Sequence, residues 1–191
     1  MRARLHVSRR LFCVSAAGTV LPAWASAQPR DEHGRVAPPI PVPDIPIVQH
    51  DGVKTRLPTI VKGRATALQV MFTSCSTACP IEGATFARVQ KLVPDQLARG
   101  IQLLSLSVDA KNDTPDALRT WLQRFHAVPG WIAAAPTVQD TDRLKSFAGA
   151  GRNPADNHST QVLMIDRQGR LVWRTFELPE AEDIVAMLLK M

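Results

Sequence analysis

The chain has 191 residues, with 23 basic and 17 acidic side chains, a formal charge of +6, three cysteines and no tyrosine. That length suits one domain with a core of its own, and the lack of a basic run or an aromatic ladder argues against a nucleic-acid partner. The first 27 residues carry four arginines and no acid, so residues 28–191 hold a balance of only +2 and the basic character belongs in part to the N-terminal segment.

That segment has the layout of an export signal. Arg2, Arg4, Arg9 and Arg10 precede a short apolar stretch from Leu11 to Leu21, and Ala25-Ser26-Ala27 is a small-residue cleavage site. The pair Arg9-Arg10, in Ser8-Arg-Arg-Leu-Phe12, suits the twin-arginine route for folded cargo, with an ordinary secretory signal as the alternative. The stretch falls short of the roughly 20 residues that span a bilayer. Cys13 follows bulky Phe12 too early in the chain to read as a lipidation site. The expectation is a periplasmic protein, soluble after cleavage and membrane-held only if the leader stays uncut. Exported protein should begin at Gln28 on N-terminal sequencing. Lysine at both positions 9 and 10 should block export by the folded-protein route, and normal export of that variant would leave only the secretory one.

Residues 28–46 hold six prolines and read as an extended linker, so the globular domain is expected over 47–191. Ile47-Val48 and Thr55 to Leu57 flank Asp51-Gly52, a hairpin turn signal. Ala65 to Phe72 is a run of mostly apolar residues with the look of a buried central strand. Phe86, Val89, Leu92 and Val93 then recur at helical spacing, and Ile101 to Val108 is a second buried strand. Thr114-Pro115-Asp116 starts a helix whose apolar face is Leu118, Trp121, Leu122 and Phe125. A short helix over Val138 to Ala148 and a polar loop over Gly149 to Ser159 follow. Gln161 to Ile165 and Leu171 to Phe176 read as a hairpin turning at Arg167-Gln168-Gly169, and Glu180 to Leu189 as a closing amphipathic helix. Strands alternating with helices imply a partly parallel sheet covered on both faces. The predicted fold is α/β and thioredoxin-like, a central mixed sheet flanked by helices with an N-terminal hairpin.

The chemistry concentrates in Cys75-Ser-Thr-Ala-Cys79-Pro80, where a strand runs into a helix. Unpaired amides at a helix start favour a thiolate, the form that attacks disulfides and binds metal. Because Pro80 disfavours a helical conformation for Cys79, the helix is predicted to begin at Pro80 with both thiols on the loop before it. Such a pair can close a disulfide, structural or redox-active, or hold a soft ion, and copper(I) suits two sulfurs better than tetrahedral zinc does. Cys13 lies in the leader, so after cleavage the dithiol has no other cysteine to pair with. His158, in a polar loop before a strand, could add a nitrogen ligand that suits copper(II) or could be an exposed loop histidine. Asp109, after the second central strand, could face the crevice at the strand ends or cap a turn. His33, His50 and His126 receive no site role, and Met71 reads as core.

Four segments carry a family resemblance: Phe72-Thr-Ser-Cys-Ser-Thr-Ala-Cys-Pro80, Ser107-Val-Asp-Ala-Lys-Asn-Asp-Thr-Pro115, the His158 segment, and Val162-Leu-Met-Ile-Asp-Arg-Gln-Gly-Arg-Leu171. Together they resemble the Sco/SenC family of thioredoxin-like copper proteins. The resemblance implies Cys75, Cys79 and His158 as ligands of copper(I) and copper(II), with Asp109 in support. It also implies a chaperone role in assembling the dinuclear copper centre of cytochrome c oxidase or a similar copper enzyme. The partners it implies are the copper-receiving subunit of a terminal oxidase and a thiol–disulfide reductant. The alternative is a thiol–disulfide reductase in which Cys75 and Cys79 keep a partner's copper-binding cysteines reduced. The chain departs from the family's pattern at Ser76-Thr77, where Pro-Asp is usual, and at Ala110, where proline is usual.

Overall fold

The computed structural model describes residues 33–97, 99–149 and 160–191. The segment read as an export leader and His158 therefore lie outside the described residues. Eight strands form one sheet in the order β1-β8-β7-β4-β5-β6-β2-β3. They are β1 (Gly34–Pro41), β2 (Pro46–Gln49), β3 (Lys54–Arg56), β4 (Ala65–Met71), β5 (Ile101–Ser107), β6 (Trp131–Pro136), β7 (Gln161–Ile165) and β8 (Arg170–Glu177). The helices are α1 (Leu57–Val61), α2 (Ala78–Leu92), α3 (Pro115–Arg124), α4 (Thr141–Ala148) and α5 (Ala181–Leu188). Among the described residues no helix is long and apolar enough to cross a membrane.

The two central strands behave as their apolar runs require. Every residue of β4 and β5 is buried, and the two pair in parallel from Ala65 opposite Ile101 to Met71 opposite Ser107. Alternation along the strands serves two cores. Ala65, Ala67 and Met71 pack with Phe86, Trp121, Trp131 and Ile184 beneath α2, α3 and α5. Leu68, Val70, Leu104 and Leu106 pack with Leu57, Val61 and Leu144 beneath α1 and α4. Of the polar side chains among them, Gln69 Nε2 and Trp131 Nε1 both donate to Ser105 Oγ, at 2.7 and 2.9 Å, while Gln69 Oε1 and Gln102 Nε2 are buried without a partner among the described residues.

Three sequence expectations are corrected. Part of the segment read as a linker is β1, which pairs antiparallel with β8, and Pro46 already opens β2. An edge strand tolerates proline, because an amide facing away from the sheet is not needed. The second correction is β6, where the sequence reading placed no element, which pairs in parallel with β5 and antiparallel with β2. Its Ile132-Ala-Ala-Ala135 core has little intrinsic strand preference, and pairing on both sides overrides it. The third is that Leu57, expected to extend the first hairpin, begins the short helix α1.

Close approach between α2 and the end of α3 rests on one glycine. A Cβ at Gly83 would sit 2.3 Å from Cζ of Phe125, whose ring packs on Trp121 and Trp131 at centroid distances of 4.8 and 6.1 Å. Gly83→Ala is expected to displace that ring and cost about 1–3 kcal/mol, as overpacking does. A melting temperature equal to the parent's would show that the ring moves freely.

Candidate dithiol site

The site lies where the parallel strands β4 and β5 end. Phe72 to Cys75 form a turn closed by the Cys75 amide donating to Phe72 O at 3.1 Å. Three residues later α2 begins, at Ala78 rather than at Pro80, so Cys79 occupies the first helical turn. Pro80 is the third helical residue, where a backbone N–H would have no intrahelical partner in any case.

The two thiols are thereby brought together but placed unequally. Both are free, Cys75 is 5% exposed and Cys79 is fully buried. The Cys79 amide, one of the unpaired donors of the helix start, donates to Cys75 Sγ at 3.4 Å, and Thr77 Oγ1 lies 3.8 Å from the same sulfur. Thr77 is the N-cap of α2 and its side chain makes no capping bond. The sulfur of Cys75 takes that position instead. Burial alone would raise the Cys75 thiol, but hydrogen bonds from the Cys79 thiol, the Thr77 and Cys79 amides and the Thr77 hydroxyl outweigh it and hold it below its ordinary value. Burial, and then the bond to Cys75, push Cys79 strongly the other way, and the charges of Cys75 and Glu82 add to the rise. The arrangement gives one thiolate-prone sulfur beside one that stays protonated. Thr77→Val removes the hydroxyl donor and is expected to slow alkylation of Cys75 at neutral pH. An unchanged rate would leave the amides as the whole support.

Asp109 sits half-buried at the same end of the sheet, but its carboxylate accepts from Asn112 Nδ2 at 3.0 and 2.8 Å. The carboxylate that reaches the cysteine loop is that of Asp113, bonded to Thr73 and Ser107. Sequence reading passed over it because it resembles one more polar residue of a helix-capping loop. Glu82 lies one turn past Cys79 and is 3% exposed, and it was also passed over, since a glutamate near the start of a helix normally reads as a solvated dipole partner.

The described residues on either side of positions 150–159 are bonded to β8. Arg174 donates through Nη1 to Ala148 O and through Nη2 to Phe147 O, both at 2.7 Å, at the end of α4. Gly149 follows with φ +75°, the left-handed conformation that ends a helix. On the other side the Thr160 amide donates to Glu177 Oε2 at 2.7 Å. β7 then runs antiparallel to β4, so Thr160 lies at the end of the sheet where β4 leads into the cysteine turn.

A thioredoxin-like sheet that presents two unequal thiols at a helix start defines a dithiol protein of the redox or metal-handling class. The SCO1/SenC family model matches residues 46–191, and the chain belongs to that family. A candidate copper-binding protein of Stutzerimonas stutzeri is 25% identical over 138 residues, covering 68% of this chain and 66% of that protein, just under two thirds of its length. Solved structures repeat the fold. A SCO1/SenC family lipoprotein of Bacillus anthracis superposes with a TM-score of 0.67 at 22% identity, covering 81% of this chain and 98% of that one. Bradyrhizobium japonicum ScoI with copper bound gives 0.65 at 19% identity, covering 79% and 98%.

Proposed function

We propose that this protein is an exported copper carrier whose Cys75 and Cys79 sulfurs, joined by His158, hold copper destined for the dinuclear centre of a cytochrome c oxidase or a similar copper enzyme. The observation that carries the reading is the buried sulfur pair at the start of α2 in a SCO1/SenC chain. The donor set fits a soft ion: two sulfurs, one already disposed to the thiolate, at the margin of the apolar core that also holds Met71, Phe86 and Val162. Among the described residues no cluster of three His, Cys, Asp or Glu side chains surrounds them, and the third ligand proposed is His158, in the segment before Thr160. The relative named as copper-binding and the copper-bound solved structures support the choice of ion.

The residues divide the work. The Cys79 amide and the Thr77 hydroxyl stabilise charge on Cys75, while Cys79 gives up its proton only when a ligand compensates its burial. The dithiol supplies the soft sites for copper(I), and the imidazole of His158 supplies the nitrogen that copper(II) prefers. Transfer then proceeds by exchange of these sulfurs for thiols of the receiving subunit.

The unequal thiols also favour a second reading, a thiol–disulfide reductase with Cys75 attacking and Cys79 resolving. The histidine separates the two, because thiol exchange needs no imidazole. With copper delivery, His158→Ala keeps its ability to reduce a model disulfide, loses copper(II) more than copper(I), and fails to support oxidase assembly in copper-limited cells. Full assembly with His158→Ala, alongside failure with Cys75→Ser, would remove copper delivery and leave the reductase.

A further inference from the structure

We propose that Asp113 is the positioning residue of the dithiol, holding the turn that delivers Cys75 in register with the helix that carries Cys79. The proposal rests on the dithiol reading above, though not on the identity of the ion.

Asp113 is 4% exposed, and every bond to its carboxylate ties two chain segments together. The Thr73 amide donates to Oδ1 and Oδ2 at 3.2 and 3.1 Å, and the Thr73 hydroxyl donates to Oδ1 at 2.5 Å. Ser107 Oγ, at the end of β5, donates to Oδ2 at 2.6 Å. The Asp113 amide donates to Asp109 O at 2.9 Å, which closes the loop that carries the carboxylate. Thr73 is the second residue of the turn from Phe72 to Cys75, so this one carboxylate fixes the turn at a point two residues before the sulfur. The far side of the pair is fixed independently, because Cys79 is buried in the first turn of α2. The 3.4 Å approach of the Cys79 amide to Cys75 Sγ therefore depends on the turn staying where Asp113 holds it. A buried carboxylate with this many donors is costly to assemble, and the elements it joins, β5 and the turn after β4, are already paired strand to strand. Its particular contribution is the placement of the turn.

Asp113→Asn keeps the shape and replaces one acceptor oxygen by a donor, which the Thr73 amide cannot use and which the Thr73 and Ser107 hydroxyls can accept only by giving up the bonds they donate. The effect is read in the metal-free protein by equilibration with glutathione. In that reaction the two thiols and one oxidised glutathione give the Cys75–Cys79 disulfide and two reduced glutathiones, and the thiol hydrogens end on the latter. The equilibrium constant measures how well the two sulfurs are held together. Asp113→Asn is expected to lower it about tenfold, about 30 mV for this two-electron couple. Thr73→Val, which loses only the hydroxyl bond, should move it less and in the same direction. Leu144→Ala, in α4 on the opposite face of the sheet, should lower the melting temperature and leave the constant unchanged.

A constant in Asp113→Asn within about twofold of the parent, against that expected tenfold change, would overturn the proposal, as would an equal fall in Leu144→Ala. Should Asp113→Asn not fold, Thr73→Val decides, and no change there overturns the proposal. Copper(I) titration of the parent is read separately. A parent that binds no copper would sink the copper reading while the glutathione result still judged Asp113.

Discussion

Glutamine in place of Glu82 is expected to stabilise the protein by on the order of 3 kcal/mol at pH 7 and to flatten its stability between pH 5 and pH 9. Neither oxygen of the Glu82 carboxyl has a hydrogen-bond partner among the described residues. Burial first, and then the charges of Glu177 and Cys75, push it up to about 9 from an ordinary 4.5. The folded protein thus keeps this proton through neutral pH while the unfolded chain releases it above its ordinary value. Unfolding gains from that release, so the penalty is absent below pH 4.5, grows through neutral pH, and levels off above about 9. At about 1.4 kcal/mol per pH unit the penalty reaches the stated size by pH 7. Glutamine has no proton to lose and should show none of this slope. Urea unfolding at pH 5, 7 and 8.5 measures it, and parallel pH profiles for parent and variant would place the carboxyl in water rather than in the core.

Loss of either sulfur should have the largest effect on binding. Cys75→Ser and Cys79→Ser are each expected to weaken copper(I) binding by at least about 100-fold and to abolish the sulfur-to-metal charge-transfer band of the copper(II) form. Even outer partners of a ligand cost ten- to a hundredfold, and a ligand itself should cost more. Cys79→Ser carries a second cost of about 1–3 kcal/mol, because a hydroxyl would replace a sulfur that is fully buried in the apolar core. The two variants should therefore lose copper alike while only Cys79→Ser melts clearly earlier. Retention of the band in either variant would take that sulfur out of the site.

Much of the frame was readable from local pattern. Ala65 to Met71 and Ile101 to Ser107 announced themselves as continuous apolar runs. Thr114 does cap α3, accepting from the Ala117 amide at 3.3 Å. Asp51-Gly52 does turn the hairpin between β2 and β3. What escaped were features made by distant partners. β6 is a strand because β5 and β2 lie beside it, and β1 is a strand because β8 offers it an edge. The start of α2 was misplaced because the rule about residues before proline is local, whereas the Cys79 amide is held by the Cys75 sulfur. In the site, the thiols were legible as a pair. Their inequality was not, since it comes from the depth of Cys79 and from donors that only the folded turn provides. Asp113 and Glu82 gain their importance from burial, which no spacing of polar residues reveals.

The edge strand β1 also has a bearing on how the protein keeps company with other chains. Its Ala37-Pro38-Pro39-Ile40-Pro41 stretch lacks three of the backbone amides with which a passing strand would zip up. At the opposite border β3 is only three residues long and offers little to grip. The prolines that suggested a tether thus act as a selvedge, finishing the sheet so that it does not fray into its neighbours. Cutting the chain after Pro41 would strip this border and bare the eight residues of β8, from which Trp173 and Phe176 already reach solvent. A chain trimmed in that way should self-associate, and its sedimentation would show larger species than the intact domain gives at the same concentration.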